Sequence, residues 1–449
     1  MKISTIILLL VFNLSLISKS QIITTFAGNG VIANTGDGGS ATAASIDYPG
    51  FSVFDNDGNY YIATGTGGRI VRKIDRNGII TNFAGTPGVN GNSGDGFLAT
   101  DAKLKSPIGL AVDKSGNVFI SDSHNNNIRK VNPFTGIISL VCGTGVAGYS
   151  GDGGSAISAT LSNPNGICID KFNNLYIADY GNHRIRKVDS NGIITTFAGN
   201  GVAGFSGDGG MANMAQIRGV FDVTVDTFGN VYIADEANGR IRKVELNGLI
   251  STIVGTGIVG YSGDGGLAIN ANISPHDVTC DKFGNIYTCD LYENKIRIIK
   301  SNGIIELLAG TGELGFSGDG GHPLLAKFRR VYKVAIDTCN NLYFSDLNNY
   351  RVRKISYNYC NYLSVNYDVY FNKNIGNTLF PNPFKETIRV KSSDPILYLE
   401  IIDLFGNIKC KRILDGKNNS IDVFFEDMLP SGVYLVRVND VWVGRVVKE

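Results

Sequence analysis

Short apolar runs separated by polar, turn-forming residues follow one another along most of the chain. The pattern is clearest between Pro164 and Gly199, where a nearly all-apolar run ends at Asp170. An aromatic and β-branched run then ends at Asp179, and two further runs follow, the first of them alternating polar and apolar. Runs of this kind joined by Asn, Asp and Gly turns are typical of antiparallel β-strands, and no helical periodicity of useful length occurs. We therefore predict an all-β unit of four strands.

This unit is repeated six times. The aspartate that ends the first run recurs every 55 to 58 residues, and so does a second aspartate inside a GDG motif. A fixed period of this size indicates a solenoid, a propeller or an array, and a four-stranded unit repeated around an axis is a propeller blade. The first marker is Asp55, Asp113, Asp170, Asp226, Asp281 and Asp337, and the second is Asp37, Asp95, Asp152, Asp208, Asp264 and Asp319.

The two ends of the array predict how it closes. The sixth repeat stops after Arg351 to Ser356 and lacks its fourth run, whereas a matching run, IITTFAG, lies before the first repeat at Ile22 to Gly28. We predict that this N-terminal strand completes the last blade, because an unpaired strand edge would invite aggregation. The predicted fold is an all-β, six-bladed β-propeller over residues 21–357.

The repeated sequence IADYGNHRIRKVDSNGIITTFAG, which begins at Ile177, resembles the NHL repeat, whose family forms six-bladed propellers. The resemblance covers about residues 21–357. It implies the fold but not the chemistry, because the family includes protein- and RNA-binding scaffolds and a few enzymes.

Charge and the N-terminal residues narrow the possible partners and the location. The 449 residues carry a formal net charge of +1, which argues against a generic nucleic-acid or membrane-surface partner. Residues 1–20 are interpreted as a signal peptide, since Lys2 precedes an apolar stretch and small residues stand before the cleavage point. No other run is long and apolar enough to cross a bilayer, so no transmembrane segment is expected after cleavage.

The residues after Tyr357 differ from the repeats. Residues 358–377 are rich in Asn and Tyr and are interpreted as a linker, and residues 378–449 contain alternating runs that predict a small β-sandwich. The PNPF opening, the GVYLVRV run and the basic end are similar to the C-terminal sorting domain of Bacteroidetes type IX secretion cargo. The resemblance implies export by the Sec pathway and the type IX machinery to the cell surface or the medium. An ordinary adhesion-like sandwich is the alternative.

The chain contains seven cysteines. Cys339 lies in a turn and Cys360 just after the array, so they could pair, although connectivity does not follow from sequence alone. No CxxC motif or Cys/His spacing indicates a zinc site. Four others occupy positions that sister repeats fill with Ala, Val or Ile, so we expect free, buried thiols. These four are Cys142, Cys168, Cys280 and Cys289.

A long Gly-rich loop joins each blade to the next and carries the GDG motif, followed by small apolar residues at fixed offsets. Loops of this length are either functional or packed, and the regular apolar offsets favour packing, so we predict that they clamp neighbouring blades. A Ca²⁺ loop is the alternative, but one carboxylate in each loop is too few for a tight site.

The six repeats stop being equivalent where the inner strands begin. Blades two and three have glycine at a position that blades four, five and six fill with charged residues. Two carboxylates and an imidazole at one channel mouth could hold a divalent cation, or act as base and orienter on a polar ligand. They could equally be only solvated or paired, for example Lys333 with Asp277. The candidate ligand-binding residues are Asp222, His276, Asp277, Tyr332 and Lys333.

These observations predict a secreted or cell-surface binding scaffold for a protein or carbohydrate partner. The alternative is a metal-assisted hydrolase or lyase at the channel mouth, with a divalent cation as its cofactor. A purely structural surface component is a third possibility. The sequence assigns no metal ligands and no catalytic residues, because it contains no Ser/His/Asp arrangement and no nucleophile elbow.

Overall fold

The computed structural model describes residues 21–357 and seven strands of the C-terminal part, and it divides the chain into two compact units, Met1–Cys360 and Asn361–Glu449. The predicted signal peptide and linker lie outside the described residues. The C-terminal strands are Thr378–Phe380, Thr387–Lys391, Tyr398–Asp403, Ile408–Ile413, Ser420–Phe424, Gly432–Val438 and Val441–Lys448.

These seven strands form two antiparallel sheets. The first, second and fifth strands make a three-stranded sheet, and the other four make a four-stranded sheet. Their packing as a sandwich remains a prediction from the sequence.

The first unit confirms the six-bladed propeller. Six antiparallel sheets contain four strands each, which we call inner, second, third and outer from the axis outward, and blade one adds the edge strand Gly39–Ser40. In that order, blade one is Ser52–Phe54, Tyr60–Ala63, Val71–Ile74 and Ile79–Ala84; blade two is Pro107–Val112, Val118–Asp122, Asn127–Val131 and Ile138–Cys142; blade three is Pro164–Ile169, Leu175–Asp179, Arg184–Val188 and Ile194–Ala198. Blade four is Val220–Val225, Val231–Asp235, Arg240–Val244 and Ile250–Val254; blade five is Thr279–Cys280, Ile286–Asp290, Lys295–Ile299 and Ile305–Ala309; blade six is Val331–Ile336, Leu342–Asp346, Arg351–Ser356 and Ile22–Ala27.

Among the described residues, helical structure is confined to single turns in the loops. Blade one has one residue more than its sisters between its second and third strands, and the short helix Gly65–Gly68 accommodates it. The 3₁₀ turns are Ala99–Asp101, Ser123–Asn125, Ala156–Ser158, Tyr180–Asn182, Ala212–Met214, Glu236–Asn238, Ala268–Asn270, Pro323–Leu325 and Leu347–Asn349.

The N-terminal strand closes the ring as predicted. Ile22–Ala27 pairs antiparallel with Arg351–Ser356, placing Ile22 opposite Ser356 and Thr25 opposite Arg353. Ile23 is fully buried in the apolar core between blades five and six. The last blade therefore combines the first strand of the propeller with its last three.

The long loops clamp neighbouring blades, as their apolar residues predicted. The loop after blade three exchanges backbone hydrogen bonds with the outer strand of blade four, from Gly209 N to Ile250 O at 2.8 Å and from Ile250 N to Gly210 O at 3.0 Å. The GDG aspartate forms an ion pair with a fully buried arginine on the third strand, 2.6 Å between Asp152 and Arg186. The carboxylate of the GDG motif is therefore already paired with a guanidinium. The buried arginines are Arg72, Arg129, Arg186, Arg242, Arg297 and Arg353.

The cysteines follow the sequence interpretation only in part. The four predicted free thiols are free, but Cys142 and Cys289 are buried whereas Cys168 and Cys280 are partly exposed. Cys339 is disulfide-bonded. Cys360, the partner that the sequence suggested, lies outside the described residues.

Candidate functional site

Four aromatic rings from different blades meet on the propeller axis. Phe51 and Phe221 belong to blades one and four, which face each other across a ring of six, and their ring centroids are 6.0 Å apart. Tyr332 of blade six lies 5.9 and 5.8 Å from these two rings. His276 of blade five lies over Phe221 at 3.8 Å and is 4.3 Å from Tyr332. These residues, the axial aromatic cluster, therefore fill the channel at its mouth.

A buried ion pair lies beside the axial aromatic cluster. The Lys333 ammonium is 2.5 Å from Asp222 Oδ2, donates to Thr279 Oγ1 at 3.1 Å and lies 5.2 Å from the centroid of the Phe51 ring. The sequence suggested Asp277 as the partner of Lys333, and this pairing is wrong. Asp277 instead accepts backbone hydrogen bonds through both carboxylate oxygens. Lys333 thus joins blade six to blade four across blade five.

Burial and charge oppose each other in this group. Burial disfavours the charge of Lys333, but the carboxylates of Asp222 and Asp277 outweigh burial and hold its pKa above the ordinary value. Burial raises the pKa of Asp277, and the nearby ammonium opposes that rise. Removal of one charge would leave the others in a low-dielectric site without compensation, so the three groups depend on one another.

The glycine of blade three makes room for the ion pair, and that of blade two makes room for the backbone of blade three. A Cβ at Gly166 would lie 2.1 Å from Asp222 Oδ1 and 2.7 Å from Asp222 Cα, and one at Gly109 would lie 2.2 Å from Asn165 O. Neither position tolerates a side chain, but only Gly166 lies against Asp222, so this glycine, which looks unremarkable in the sequence, is what admits Asp222 to the axis.

His276 is oriented by a glutamate from the neighbouring blade. Its Nδ1 lies 3.1 Å from Glu236 Oε1, whereas its buried Nε2 has no hydrogen-bond partner among the described residues. If Nδ1 carries the proton and donates it to the carboxylate, Nε2 is an acceptor. Burial, followed by the charge of Glu236, raises the pKa of Tyr332. The site thus combines aromatic surface with an oriented imidazole.

Polar and aromatic side chains surround the mouth. The exposed Tyr180 ring lies 6.0 Å from Phe221, and Tyr292 is exposed on the corresponding loop of blade five. Arg330, also exposed, precedes the inner strand of blade six at φ 63°, a conformation that residues other than glycine rarely adopt. Its backbone N–H donates to Asn294 Oδ1 at 2.8 Å, which helps to hold it there.

The structure brings the five candidate residues together at this mouth, but only as one part of the site. Phe51 and Phe221 belong to it and were not predicted, and Glu236, which the sequence places in a loop on this face, was not among the five candidates. The available signal was that Phe51 and Phe221 also depart from the repeat, although they are apolar and resemble core residues.

The divalent-cation hypothesis does not fit this arrangement. Asp222 is neutralised by Lys333, and both oxygens of Asp277 accept backbone hydrogen bonds. Within residues 21–357 and the described C-terminal strands, no group of three His, Cys, Asp or Glu side chains could hold a metal ion.

A buried aspartate also supports each second-to-third loop, except in blade one. In blade three, Asp179 accepts hydrogen bonds from the Asn182 side chain and the Ser162 backbone, and lies 3.5 Å from Arg186. Asp179 therefore supports the loop through charge-assisted hydrogen bonds, whereas Arg184, five residues later, binds backbone carbonyls instead. The five aspartates are Asp122, Asp179, Asp235, Asp290 and Asp346.

Blade five departs from this arrangement because Glu293 takes the place of the asparagine. Asp290 Oδ2 consequently has no hydrogen-bond partner among the described residues. Burial raises the pKa of the Asp290 carboxyl to about 7, and the carboxylate of Glu293 adds to the rise while the Ser274 N–H and Arg297 oppose it.

We expect Glu293→Asn to stabilise the protein at pH 8 by about 1 kcal/mol, because the amide would donate to Asp290 as Asn182 does to Asp179. A folded-state pKa above the unfolded value of about 3.9 means that the contribution of Asp290 to stability is complete below pH ~4 and is lost as the pH rises through about 7. The gain should therefore be smaller at pH 5. Denaturation curves at the two pH values measure it.

The matched control is Glu245→Asn, in an exposed turn of blade four, which should change stability little at either pH. The explanation by a missing donor would be excluded if Glu293→Asn were less stable than the wild type at pH 8. It would also be excluded if the substitution changed the free energy of unfolding equally at pH 5 and pH 8.

The sequence matches two family models. Residues 84–149 and 142–205 match the Teneurin NHL domain, and residues 378–448 match the secretion system C-terminal sorting domain. Teneurin-1 of Gallus gallus is 30% identical over 289 residues, which are 56% of this chain and 10% of that protein. NHL repeat-containing protein 2 of Bos taurus is 26% identical over 296 residues, 59% of this chain and 40% of that protein. The chain thus spans less than half the length of both relatives.

A solved structure from Bacteroides thetaiotaomicron, described as an auxiliary nutrient binding protein, has the same fold. It is 15% identical with a TM-score of 0.55, and the superposition covers 75% of this chain and 76% of that one. Similarity at this level of identity concerns the fold alone. Among the described residues, no helix is long and apolar enough to cross a membrane.

Proposed function

We propose that this chain, an NHL-repeat six-bladed propeller with a C-terminal type IX sorting domain, is a secreted or cell-surface scaffold that binds a carbohydrate at its channel mouth. The sorting domain supports export to the cell surface or the medium. The signal peptide at residues 1–20 remains a prediction from the sequence. The propeller serves as a rigid ring that presents the mouth.

One observation carries the choice of site. At the mouth, and in no simple six-fold pattern, four rings from blades one, four, five and six contact one another beside a buried ion pair. A binding site for one ligand requires such non-equivalent groups, because identical groups repeated around a ring serve the ring itself. Pockets of this kind combine apolar walls with a few convergent polar groups.

The chemistry of these groups favours a sugar over a protein partner. A pyranose ring has C–H faces that pack on aromatic rings and hydroxyls that need hydrogen-bond partners. The mouth offers the rings of Tyr180 and Tyr332 together with the carboxylate of Glu236 and the guanidinium of Arg330. Its polar groups belong to a few side chains around one axis, whereas a standard protein interface needs about 800 Å² on each partner.

We expect Tyr180→Ala and Tyr332→Ala each to weaken glycan binding roughly three- to tenfold, because an aromatic contact contributes about 0.5–1.5 kcal/mol beyond its buried area. The ligand is first identified by screening the exported protein against a glycan array. Its affinity for the wild type and the variants is then measured by titration calorimetry.

Phe134→Ala, in an exposed turn on the opposite face, is the matched control and should bind as the wild type does. The ligand would be a protein at the same mouth if the wild type bound no glycan but captured a protein, and if Tyr332→Ala abolished that capture. Unchanged binding in both tyrosine variants would exclude the mouth itself.

The alternative function, a hydrolase or lyase at this mouth, has one observation in its favour, the unpartnered Nε2 of His276 behind the Glu236 carboxylate. An oriented imidazole of this kind could act as a general base. Incubation of the bound glycan with wild type and His276→Ala, followed by chromatography of the products, tests it. Cleavage lost with His276 would support an enzyme, whereas an intact glycan would exclude this chemistry for that ligand.

A further inference from the structure

Three phenylalanines project from the face opposite the mouth. They occupy the same position in the inner-to-second turns of blades three, four and five, two residues after the marker aspartate. Phe172, Phe228 and Phe283 are 66%, 71% and 60% exposed. Blades one, two and six have Asp57, Ser115 and Cys339 at this position. At this turn position phenylalanine is therefore confined to three successive blades, and we call the surface formed by their turns the phenylalanine face.

The three turns lie next to one another. Lys171 of blade three donates to Thr227 O of blade four at 3.2 Å, which links the first two turns directly. On the next strand pair, Cys280 Sγ lies 3.6 Å from Val225 O, which brings blade five beside blade four just above the turns. The turns themselves are rigid, because Asp170 accepts hydrogen bonds from the backbone N–H groups of Phe172 and Asn174. The side chains are thus held outward by ordered backbone.

Lysine accompanies two of the three phenylalanines. The ammonium groups of Lys171 and Lys282 each lie 5.4 Å from the centroid of the adjacent ring, Phe172 and Phe283. Neither ammonium lies within 4.0 Å of a carboxylate among the described residues, because the turn aspartates accept hydrogen bonds from their own turns. The phenylalanine face therefore combines exposed rings with positive charge that is not locally paired.

We propose that the phenylalanine face docks on an anionic lipid surface, with the rings inserted at the headgroup boundary and the two lysines against the phosphates. Exposed aromatic side chains accompanied by lysines are typical of a surface that lies in a membrane interface. A lysine near an anionic leaflet adds to membrane binding, and apolar side chains at that depth contribute the rest. The near-zero net charge of the whole chain does not oppose this, because headgroups interact only with charges within a Debye length.

A lipid surface fits this face better than a protein partner. The rings stand at the tips of turns and are each at least 60% exposed. A fluid layer accommodates projecting side chains without a complementary shape, whereas a protein interface requires packing around each anchor. Docking by this face would also leave the channel mouth, on the opposite side, open to solvent.

The test is sedimentation of the exported protein with vesicles of phosphatidylethanolamine and phosphatidylglycerol. We expect the wild type to bind, and Phe172→Ser/Phe228→Ser/Phe283→Ser to bind at least roughly tenfold more weakly, because the inserted apolar surface is lost. Lys171→Glu/Lys282→Glu should lose a similar factor on these vesicles, and the wild type should bind pure phosphatidylcholine vesicles weakly and with little dependence on salt.

The matched control is Val146→Ser/Val202→Ser/Ile258→Ser. These residues are 64%, 55% and 63% exposed at equivalent positions of three successive interblade loops, beside the second-to-third loops on the other side of the ring. The control should bind vesicles as the wild type does. Thermal melts show whether the phenylalanine variant is folded. If that variant is unfolded, the lysine variant provides the test.

Equal vesicle binding by the wild type and both turn variants would overturn the proposal. So would wild-type protein that stays in the supernatant, or self-association in gel filtration that the phenylalanine variant abolishes, since the face would then bind a second copy. Failure here leaves the glycan site untouched, because the two faces are tested with different variants.

Discussion

Ile23→Asp is expected to lower the free energy of unfolding by at least about 4 kcal/mol, one of the two largest effects that we predict. The side chain is fully buried between blades five and six, in the strand that closes the ring. The substitution removes an apolar group from this core and places a carboxylate there without a partner. Chemical denaturation and gel filtration should show an unstable, aggregating protein, because the third strand of blade six would lose its neighbour.

Ile22→Asp is the control on the same strand. Ile22 is 38% exposed whereas Ile23 is 0% exposed, so the same substitution one residue away should be tolerated. If the two variants were equally stable, the N-terminal strand would not hold the ring closed in solution.

Asp222→Ala is the second substitution with a large expected effect, and it should lower the free energy of unfolding by about 3–5 kcal/mol. The substitution leaves the Lys333 ammonium buried without its 2.5 Å partner and the Val278 N–H without an acceptor. Lys333→Met should be similarly harmful, because Asp222 and Asp277 would then share a site without a cation. The double variant Asp222→Ala/Lys333→Met should lose less than the sum of the single losses, and denaturation curves of the wild type and the three variants give this coupling directly.

Lys327→Met provides a matched control for the ion pair. Lys327 and Glu313 are also 2.5 Å apart, but both side chains are largely exposed, so the loss of their attraction should hardly change stability. If the axial variants were as harmless as this one, the axial pair would be a solvated contact rather than a support of the site.

These two predictions concern different consequences of the ring. Ring closure joins residues about 330 positions apart, such as Ile22 and Ser356, in one blade. Closure also places blades one and four on opposite sides of the axis, which is what brings Phe51 to Phe221. A propeller that failed to close would lose the axial aromatic cluster. A loss of glycan binding in Ile23→Asp would therefore not show that the glycan binds at the mouth.

The arrangement of strands was accessible from the sequence because it depends on local patterns. The marker aspartates, such as Asp170, form the inner-to-second turns, and the apolar run before each of them is an inner strand. Even closure was predictable, since one run was missing at the end of the array and present at its beginning. These features repeat six times, so the chain itself contains the comparison that reveals them.

The site was predictable only as a departure from that comparison. Asp222, Asp277 and Lys333 stood out because blades two and three have glycine at the same position, and all three reached the mouth. The predicted partner of Lys333 was wrong, because the choice between Asp222 and Asp277 depends on the hydrogen bonds that each carboxylate already accepts. Both oxygens of Asp277 accept backbone N–H groups, from Cys289 and Val334, and no sequence pattern indicates this.

By itself, the sequence determined the number of blades, the order of strands, the closing strand and the positions where the repeats differ. All of these follow from patterns within about 60 residues, the length of one repeat, where turn chemistry and alternation act locally. The tertiary structure alone decided which differing residues touch: Phe51 with Phe221 across the axis, Lys333 with Asp222 over blade five, and His276 with Glu236 between blades. These contacts depend on the distance between strands that are far apart in the chain, and that distance exists only once the ring has closed.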